Sequence, residues 1–183
     1  NGLFYLGGWD NALYAVRADN GQLEWRSEMG RSNSGKGSIS FYYSPAIASP
    51  CIGKESLFVC TNDGTLHAVN LFDGHELWTF RAPSGRDSLG YSSPKWENGI
   101  VYVGGLGKNG DIYAVSEATH EIVWQQSTGA ENYDSSVCLT DKYVVIGSVA
   151  GKITWLDKST RKIAYTYNLQ AGFYFSNPVW DYQ

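Results

Sequence analysis

The sequence predicts an all-β propeller of about four four-stranded blades, and three observations carry the prediction. First, one phrase recurs: Tyr14-Ala15-Val16 through Asn20-Gly21 to Trp25, His67-Ala68-Val69 through Asp73-Gly74 to Trp78, and Tyr113-Ala114-Val115 through Thr119-His120 to Trp124, the Trp following the Ala by ten residues each time. A weaker fourth copy runs from Trp155-Leu156-Asp157 through Ser159-Thr160-Arg161 to Tyr165, with Tyr in the Trp position. Second, the anchors Trp25, Trp78, Trp124 and Tyr165 are separated by 53, 46 and 41 residues. That is the period of a four-stranded blade, roughly 40–50 residues, and exceeds the roughly 20–34 of leucine-rich and helical repeats. Third, no stretch of ten or more residues carries an apolar stripe at helical spacing, so almost no helix is expected.

Within each copy the elements follow in order. A β-branched or aromatic run opens it: Leu3-Phe4-Tyr5-Leu6, Leu57-Phe58-Val59-Cys60, Ile100-Val101-Tyr102-Val103 and Tyr143-Val144-Val145-Ile146. Turn residues that accept positive φ come next, at Asp10-Asn11, Asn62-Asp63-Gly64, Asn109-Gly110-Asp111 and Ala150-Gly151. The recurring phrase then supplies two more strands. A fourth strand is expected ahead of each triplet, around Ser44-Pro45-Ala46-Ile47, Ser93-Pro94-Lys95-Trp96, Ser136-Val137-Cys138-Leu139 and Asn177-Pro178-Val179-Trp180.

The last of these has no triplet after it. Pro178 to Gln183 continued into Asn1 to Gly8 resembles Pro94 to Gly105, so the C-terminal strand is expected to complete the N-terminal blade and remove two exposed edges. The alternative is a segment of a seven- or eight-bladed propeller. A closed ring is preferred because an open arc exposes an apolar blade face at each end. Residues 1–183 read as one domain, part of a larger protein.

The pattern strand, Gly, turn, Gly, Tyr-Ala-Val, turn, Gly, Leu, Trp resembles the repeat of quinoprotein-type (PQQ-like) β-propellers, seen in Tyr102-Val103-Gly104 to Tyr113-Ala114-Val115 to Trp124 and in Asn62-Asp63-Gly64 to Leu77-Trp78. The resemblance implies that Trp25, Trp78, Trp124 and Tyr165 dock blade on blade. It spans calcium-quinone dehydrogenases, outer-membrane assembly scaffolds and non-catalytic domains attached to other enzymes. The dehydrogenase members are expected to carry two neighbouring bridged cysteines, an Asp base and calcium ligands. Here Cys51, Cys60 and Cys138 are not adjacent and the acids are scattered singly over turns, whereas calcium asks for six to eight oxygens. No catalytic residue, metal or cofactor is assigned; PQQ with calcium, or an accessory role to an adjoining enzyme, is the alternative.

Composition narrows the rest. The chain has 183 residues, 43% hydrophobic and 17% charged, enough for one substantial core. A net charge of −4 gives no electrostatic footprint for nucleic acid or an anionic membrane. No apolar run approaches the roughly 20 residues of a membrane helix, and the Asn1 start shows no signal-peptide pattern, so a signal has been removed or the domain belongs to a longer protein. Related propellers are often periplasmic or secreted, which the resemblance favours and free cysteines weigh against.

Three cysteines leave at least one unpaired. Cys60 and Cys138 read as small buried hydrophobes in strands, and Cys51, after Pro50, as the more exposed. Gly105 to Gly110 spell Gly-x-Gly-x-x-Gly, but a strand and not a helix follows, so the segment reads as a hairpin tip and not as a dinucleotide site. His67 takes the slot of Tyr14 and Tyr113 and reads as packing, while His75 and His120 read as solvated turn residues.

Function is sought where the repeats differ. The connections between blades hold Arg31 to Gly37, Ser84 to Ser88, Ala130 to Asp134 and Ala171 to Phe175, and in a propeller they converge on one face. Tyr42, Tyr43, Tyr91, Tyr133, Tyr174 and Phe175 form a candidate aromatic wall there, with Arg86 and Asp134, joined by Arg31, Lys36 and Glu131, as polar partners. Apolar lining with a few placed polar groups suits a protein partner, peptide or glycan. The competing reading packs the same aromatics into the inner strands.

Overall fold

The computed structural model describes residues 2–8, 10, 12–29, 48–61, 63–83, 88–89, 92–132, 136–173 and 178–181. Among them are fifteen strands in four antiparallel sheets. The first sheet holds β1 (Leu3–Gly7), β2 (Ala12–Arg17) and β3 (Leu23–Glu28). The second holds β4 (Cys51–Ile52), β5 (Ser56–Thr61), β6 (Thr65–Asn70) and β7 (Glu76–Arg81). The third holds β8 (Lys95–Glu97), β9 (Ile100–Gly104), β10 (Asp111–Ser116) and β11 (Ile122–Ser127), and the fourth β12 (Cys138–Leu139), β13 (Tyr143–Gly147), β14 (Lys152–Asp157) and β15 (Lys162–Asn168). Each sheet is a meander in chain order.

The recurring phrase maps onto the last two strands of every sheet with one register. Ala15 faces Trp25, Ala68 faces Trp78, Ala114 faces Trp124 and Trp155 faces Tyr165, and in all four the register shifts immediately afterwards. That shift admits the extra residue of a bulge. The tight turn behind it needs a left-handed residue, supplied by Gly21 (φ 72°), Gly74 (φ 74°), His120 (φ 64°) and Arg161 (φ 60°). A polar side chain at the strand end holds the turn: Asn70 Oδ1 accepts the Phe72 N–H at 2.8 Å, and Asp157 Oδ1 accepts the N–H groups of Ser159 and Thr160 at 2.9 Å.

Consecutive sheets pack face to face and bury three apolar clusters. Leu13, Ala15, Trp25 and Met29 of the first sheet and its continuation meet Leu57, Val59 and Val69 of the second. Phe58, Cys60, Leu66 and Ala68 of the second meet Val101, Val103, Tyr113 and Val115 of the third. Tyr102, Ile112 and Ala114 of the third meet Val144, Ile146 and Leu156 of the fourth. The alternation of each strand thus serves two neighbours, one per face, and this is why central strands such as β5 are buried throughout. The short first strands are drawn together: the Ser49 N–H donates to Ser93 Oγ and the Ser93 N–H to Ser136 Oγ, each at 2.9 Å.

Two expectations meet a different arrangement. The fourth strand of the second sheet is Cys51–Ile52, led by Ser49-Pro50, and Ser44 to Ile47 lie outside the described residues. Both Ser-Pro steps fit the pattern, and the one that lets Cys51 face Phe58, as Lys95 faces Tyr102 and Cys138 faces Val145, forms the strand. The C-terminal segment is not seen on the first sheet, which has three strands among the described residues. Pro178, Val179 and Trp180 instead border a groove with β8 and β12.

Candidate functional site

At two interfaces the anchor aromatic of one sheet lies on the left-handed turn of the next. The Trp25 indole is 7% exposed, donates from Nε1 to the Leu71 carbonyl at 3.2 Å, and lies so close over Gly74 that a Cβ there would stand 2.5 Å from Cε3. Trp78 stacks on the His120 ring with centroids 4.8 Å apart. His120 is exposed, as read from sequence, and one face of its ring also serves as a docking surface; its place in the Gly21 and Gly74 slot was the available signal. Trp124 packs on Tyr102 within the third cluster. Tyr165 meets Tyr143 of its own sheet and is 60% exposed.

The connections between sheets leave from the end that carries the β5–β6 turn, since Thr65 pairs with Arg81 at the close of β7. They are tied down on both sides. The Ser88 carbonyl accepts the Leu106 N–H of the third sheet at 2.9 Å, and the Glu131 carbonyl accepts the Val149 N–H of the fourth at 3.0 Å. Lys152 Nζ donates to the Thr128 carbonyl at 2.6 Å. Behind them Gly110 and Gly151 approach Ala130 and Ala171 so closely that any Cβ would strike their carbonyls. The Phe173 N–H donates to the Ser148 carbonyl at 3.1 Å and its ring rests on Gly147. The result is a row of loops pinned to a rigid rim.

Of the residues expected to form the aromatic wall, Tyr42, Tyr43, Arg86, Tyr91, Tyr133, Asp134, Tyr174 and Phe175 lie outside the described residues, as do Arg31 and Lys36. Their flanks Ser88, Glu131 and Phe173 are the pinned positions above.

A groove of about 390 Å³ lies beside the first strands, lined by Lys95, Trp96 and Glu97, by Cys138 to Asp141 and by Pro178 to Trp180. Burial raises the Cys138 thiol above its ordinary value, opposed by Lys95 and by the Trp180 backbone N–H. Cys51 is half-buried and its thiol is pushed up to about 12 by burial; Cys60 is fully buried and its thiol is likewise raised well above the ordinary value. All three cysteines are free, and raised thiols are poor nucleophiles.

His67 Nδ1 lies 2.7 Å from Glu76 Oε2 and Nε2 lies 3.0 Å from Thr61 Oγ1. This has the outline of a hydroxyl–imidazole–carboxylate relay, but Thr61 is 1% exposed and donates at 2.6 Å to Asp63, leaving no room for a substrate carbonyl. The network closes a turn, with Arg81 on the far side of Asp63 at 2.6 Å. Among the described residues no three His, Cys, Asp or Glu side chains converge as a metal cage, and the free, separated cysteines do not form the bridged neighbouring pair that the quinone-dependent resemblance implies. The described residues therefore do not fit a calcium–quinone centre.

With this geometry established, a family model described as outer membrane protein assembly factor BamB matches residues 1–108 and 108–181. The chain belongs to this family. BamB from Yersinia pestis is 27% identical over 172 residues, 88% of this chain and 40% of that protein. The crystal structure of BamB from Moraxella catarrhalis superposes with a TM-score of 0.70 at 21% identity, over 91% of this chain and 50% of that one. Quinohemoprotein alcohol dehydrogenase from Comamonas testosteroni superposes with a TM-score of 0.73 at 18% identity, over 91% of this chain and 33% of that one, a likeness of fold. The chain spans about two fifths of the length of the curated BamB relative. The Trp-on-turn docking described above is therefore that of a BamB-family, PQQ-like propeller.

Proposed function

We propose that residues 1–183 act as one non-catalytic scaffold domain of a BamB-type protein, forming an arc of blades that binds a protein partner through the loops joining successive blades. The observation that carries the reading is the pinned loop rim: Ser88 and Glu131 are fixed by backbone hydrogen bonds to a turn of the next sheet, and Phe173 to a turn of its own sheet. Loops with fixed flanks lose less entropy on binding than loops with free ones, which suits a recognition surface. The aromatic residues Tyr91, Tyr133 and Tyr174, with Arg86 as the cation, supply the anchors, aromatic and Arg side chains being those that dominate interface energetics. Catalysis and a bound quinone have no part in this reading, because the described acids and cysteines do not converge. The partner is a protein of outer-membrane assembly and the setting periplasmic, both taken from family membership; peptide and glycan ligands are the narrower alternatives.

The test places a photo-crosslinking side chain at Tyr91 or Tyr133 in cells that make the natural polypeptide. An adduct with an envelope protein that is lost on Arg86→Ala is the expected result. Adducts that persist undiminished in Arg86→Ala, or no adduct from either position while an exposed control position such as Phe72 captures the partner, refute the loop-face site. Extending the arc to a closed ring is a separate matter, because the first and fourth sheets share no buried cluster among the described residues.

A further inference from the structure

We infer that His67 is held as a buried imidazolium and that its second ring proton latches the β5–β6 turn, a pH-sensitive brace under the connection at Ser88. The number of protons available decides it. The Thr61 hydroxyl has one proton and three acceptors in reach: Asp63 Oδ1 at 2.6 Å, His67 Nε2 at 3.0 Å and the Thr65 carbonyl at 3.3 Å. Asp63 is a carboxylate, since Arg81 Nη2 lies 2.6 Å from Oδ2 and the Thr65 N–H donates to Oδ1 at 3.2 Å. Burial pushes its carboxyl up, but the hydrogen bonds from Thr61 and Thr65 and the Arg81 charge outweigh burial and hold it below its ordinary value. The Thr61 proton therefore goes to Asp63, the nearest acceptor and the anionic one.

Thr61 Oγ1 then offers the ring only lone pairs, so His67 Nε2 must donate. At the other nitrogen the Glu76 carboxylate can only accept, so Nδ1, 2.7 Å away, donates as well. Neither neutral tautomer supplies both protons; the imidazolium does. Charge then alternates along the bonds from Glu76 through His67, Thr61 and Asp63 to Arg81, which compensates a charged ring only 5% exposed. Among the described residues of β5, β6, β7 and the β5–β6 turn, these are the charged groups. The first sheet, packed on the same face, presents Leu13, Ala15, Trp25 and Met29, and its Arg26 pairs with Asp10 and Glu28.

The other sheets fill this slot differently. Tyr14 and Tyr113 donate their phenol protons to Asp10 and Asp111, and Thr154 stands in the fourth sheet. Of the four side chains, histidine is the one whose charge changes near neutral pH. Loss of one ring proton leaves Thr61 with two acceptors for one proton. Kept on Asp63, that proton leaves a bare ring nitrogen in a buried site; turned to His67, it leaves the Asp63 oxygen facing an unprotonated oxygen. Either weakens the turn, which the Thr61 carbonyl closes by accepting the Gly64 N–H at 2.9 Å. Gly64 supports the connection: a Cβ there would stand 3.3 Å from Ser88 Cα, and the Ser88 carbonyl accepts the Leu106 N–H of the third sheet at 2.9 Å. The charge of one ring thus reaches the rim of the next sheet, independently of what the rim binds.

Nuclear magnetic resonance of the ring nitrogens in the natural polypeptide tests this, with the His67 signals assigned by their loss in His67→Tyr, a side chain the slot accepts in two other sheets. At pH 7 both His67 nitrogens are expected to carry protons. Raising the pH should remove one, and the Gly64 and Leu106 amide shifts should follow with the same midpoint. Glu76→Gln, at a half-exposed position, should lower that midpoint, and His67→Tyr should abolish the Leu106 response with the far-ultraviolet circular dichroism unchanged. A single protonated ring nitrogen at pH 7, amides that ignore the ring, or a Leu106 response that survives His67→Tyr overturns the inference.

Discussion

Replacing Gly74 with alanine isolates the energy of docking one sheet on the next. The substitution does two things. It places a Cβ on a residue with φ of 74°, and it drives that Cβ to 2.5 Å from Cε3 of Trp25 and 2.8 Å from Cδ2 and Cζ3. Gly99, in the β8–β9 turn, separates the two effects: its φ is 79° and an added Cβ meets nothing within 4 Å. The left-handed conformation costs an L-residue about 1–2 kcal/mol, so Gly99→Ala is expected to lose about 1 kcal/mol. The indole cannot slide away freely, being 7% exposed and hydrogen-bonded to the Leu71 carbonyl. Forcing an extra methyl group into such a contact adds about 1–3 kcal/mol, so Gly74→Ala is expected to lose about 2–4 kcal/mol in all. Urea unfolding followed by tryptophan fluorescence measures both. In a Trp25→Ala background the clash has no partner and Gly74→Ala should fall back to the cost of Gly99→Ala. Equal losses for the two glycines, or an excess at Gly74 that persists without Trp25, would refute the docking argument.

Three further outcomes follow from the same structure. Thiol titration at pH 8 should find Cys51 and Cys60 inert in the folded chain and three reactive thiols after denaturation, since burial raises both folded thiols; rapid labelling of Cys51 in the native state would contradict its value of about 12. Hydrogen bonds from the Ser159 hydroxyl, then the Thr160 and Ser159 N–H groups, hold the Asp157 carboxyl at about 2 against an ordinary 3.8. Its folded value is the lower, so the stabilisation is present above about pH 4 and lost as pH falls through about 2; the gap in thermal midpoint between Asp157→Ala and the unmodified chain should narrow over that window, and a constant gap counts against it. Glu97 and Lys158 pair across the third and fourth sheets at 33% and 13% side-chain exposure, so Glu97→Ala should cost about 1–2 kcal/mol by leaving the ammonium half-desolvated, and Lys158→Met less in the Glu97→Ala background than alone; additive losses would deny the coupling.

How much of this was legible in the sequence depended on whether a residue's role was fixed within its own repeat. The Ala-to-Trp spacing marked the last two strands of each sheet because the bulge between them recurs with the same register. The Gly105 to Gly110 string was legible as a hairpin because strands flank it, and β9 and β10 are those strands. The first strands were less so: β4 and β12 are two residues long, too short for alternation to choose between Ser44-Pro45 and Ser49-Pro50. His120 is exposed, as its turn position suggested, and that one face of its ring also carries Trp78 shows only when the sheets are laid together. The buried bonds of His67 to Thr61 and Glu76 needed the β6–β7 register. The loop aromatics of the candidate site were legible only as an irregularity against the repeat, and the structure describes their pinned flanks.

The repeat also dictates how its sequence varies. An anchor aromatic is read by the turn of the following sheet, so the two slots are chosen as a pair across a boundary and not within a blade. Trp25 lies over a glycine, whose missing Cβ lets the indole reach the Leu71 carbonyl. Trp78 meets His120, whose ring offers a second flat surface 4.8 Å away at the cost of a strained φ. Because both faces of an interior sheet are committed to such neighbours, its strands have little surface to spare for recognition, and the variation that function requires is pushed into the loops that the docking holds in place.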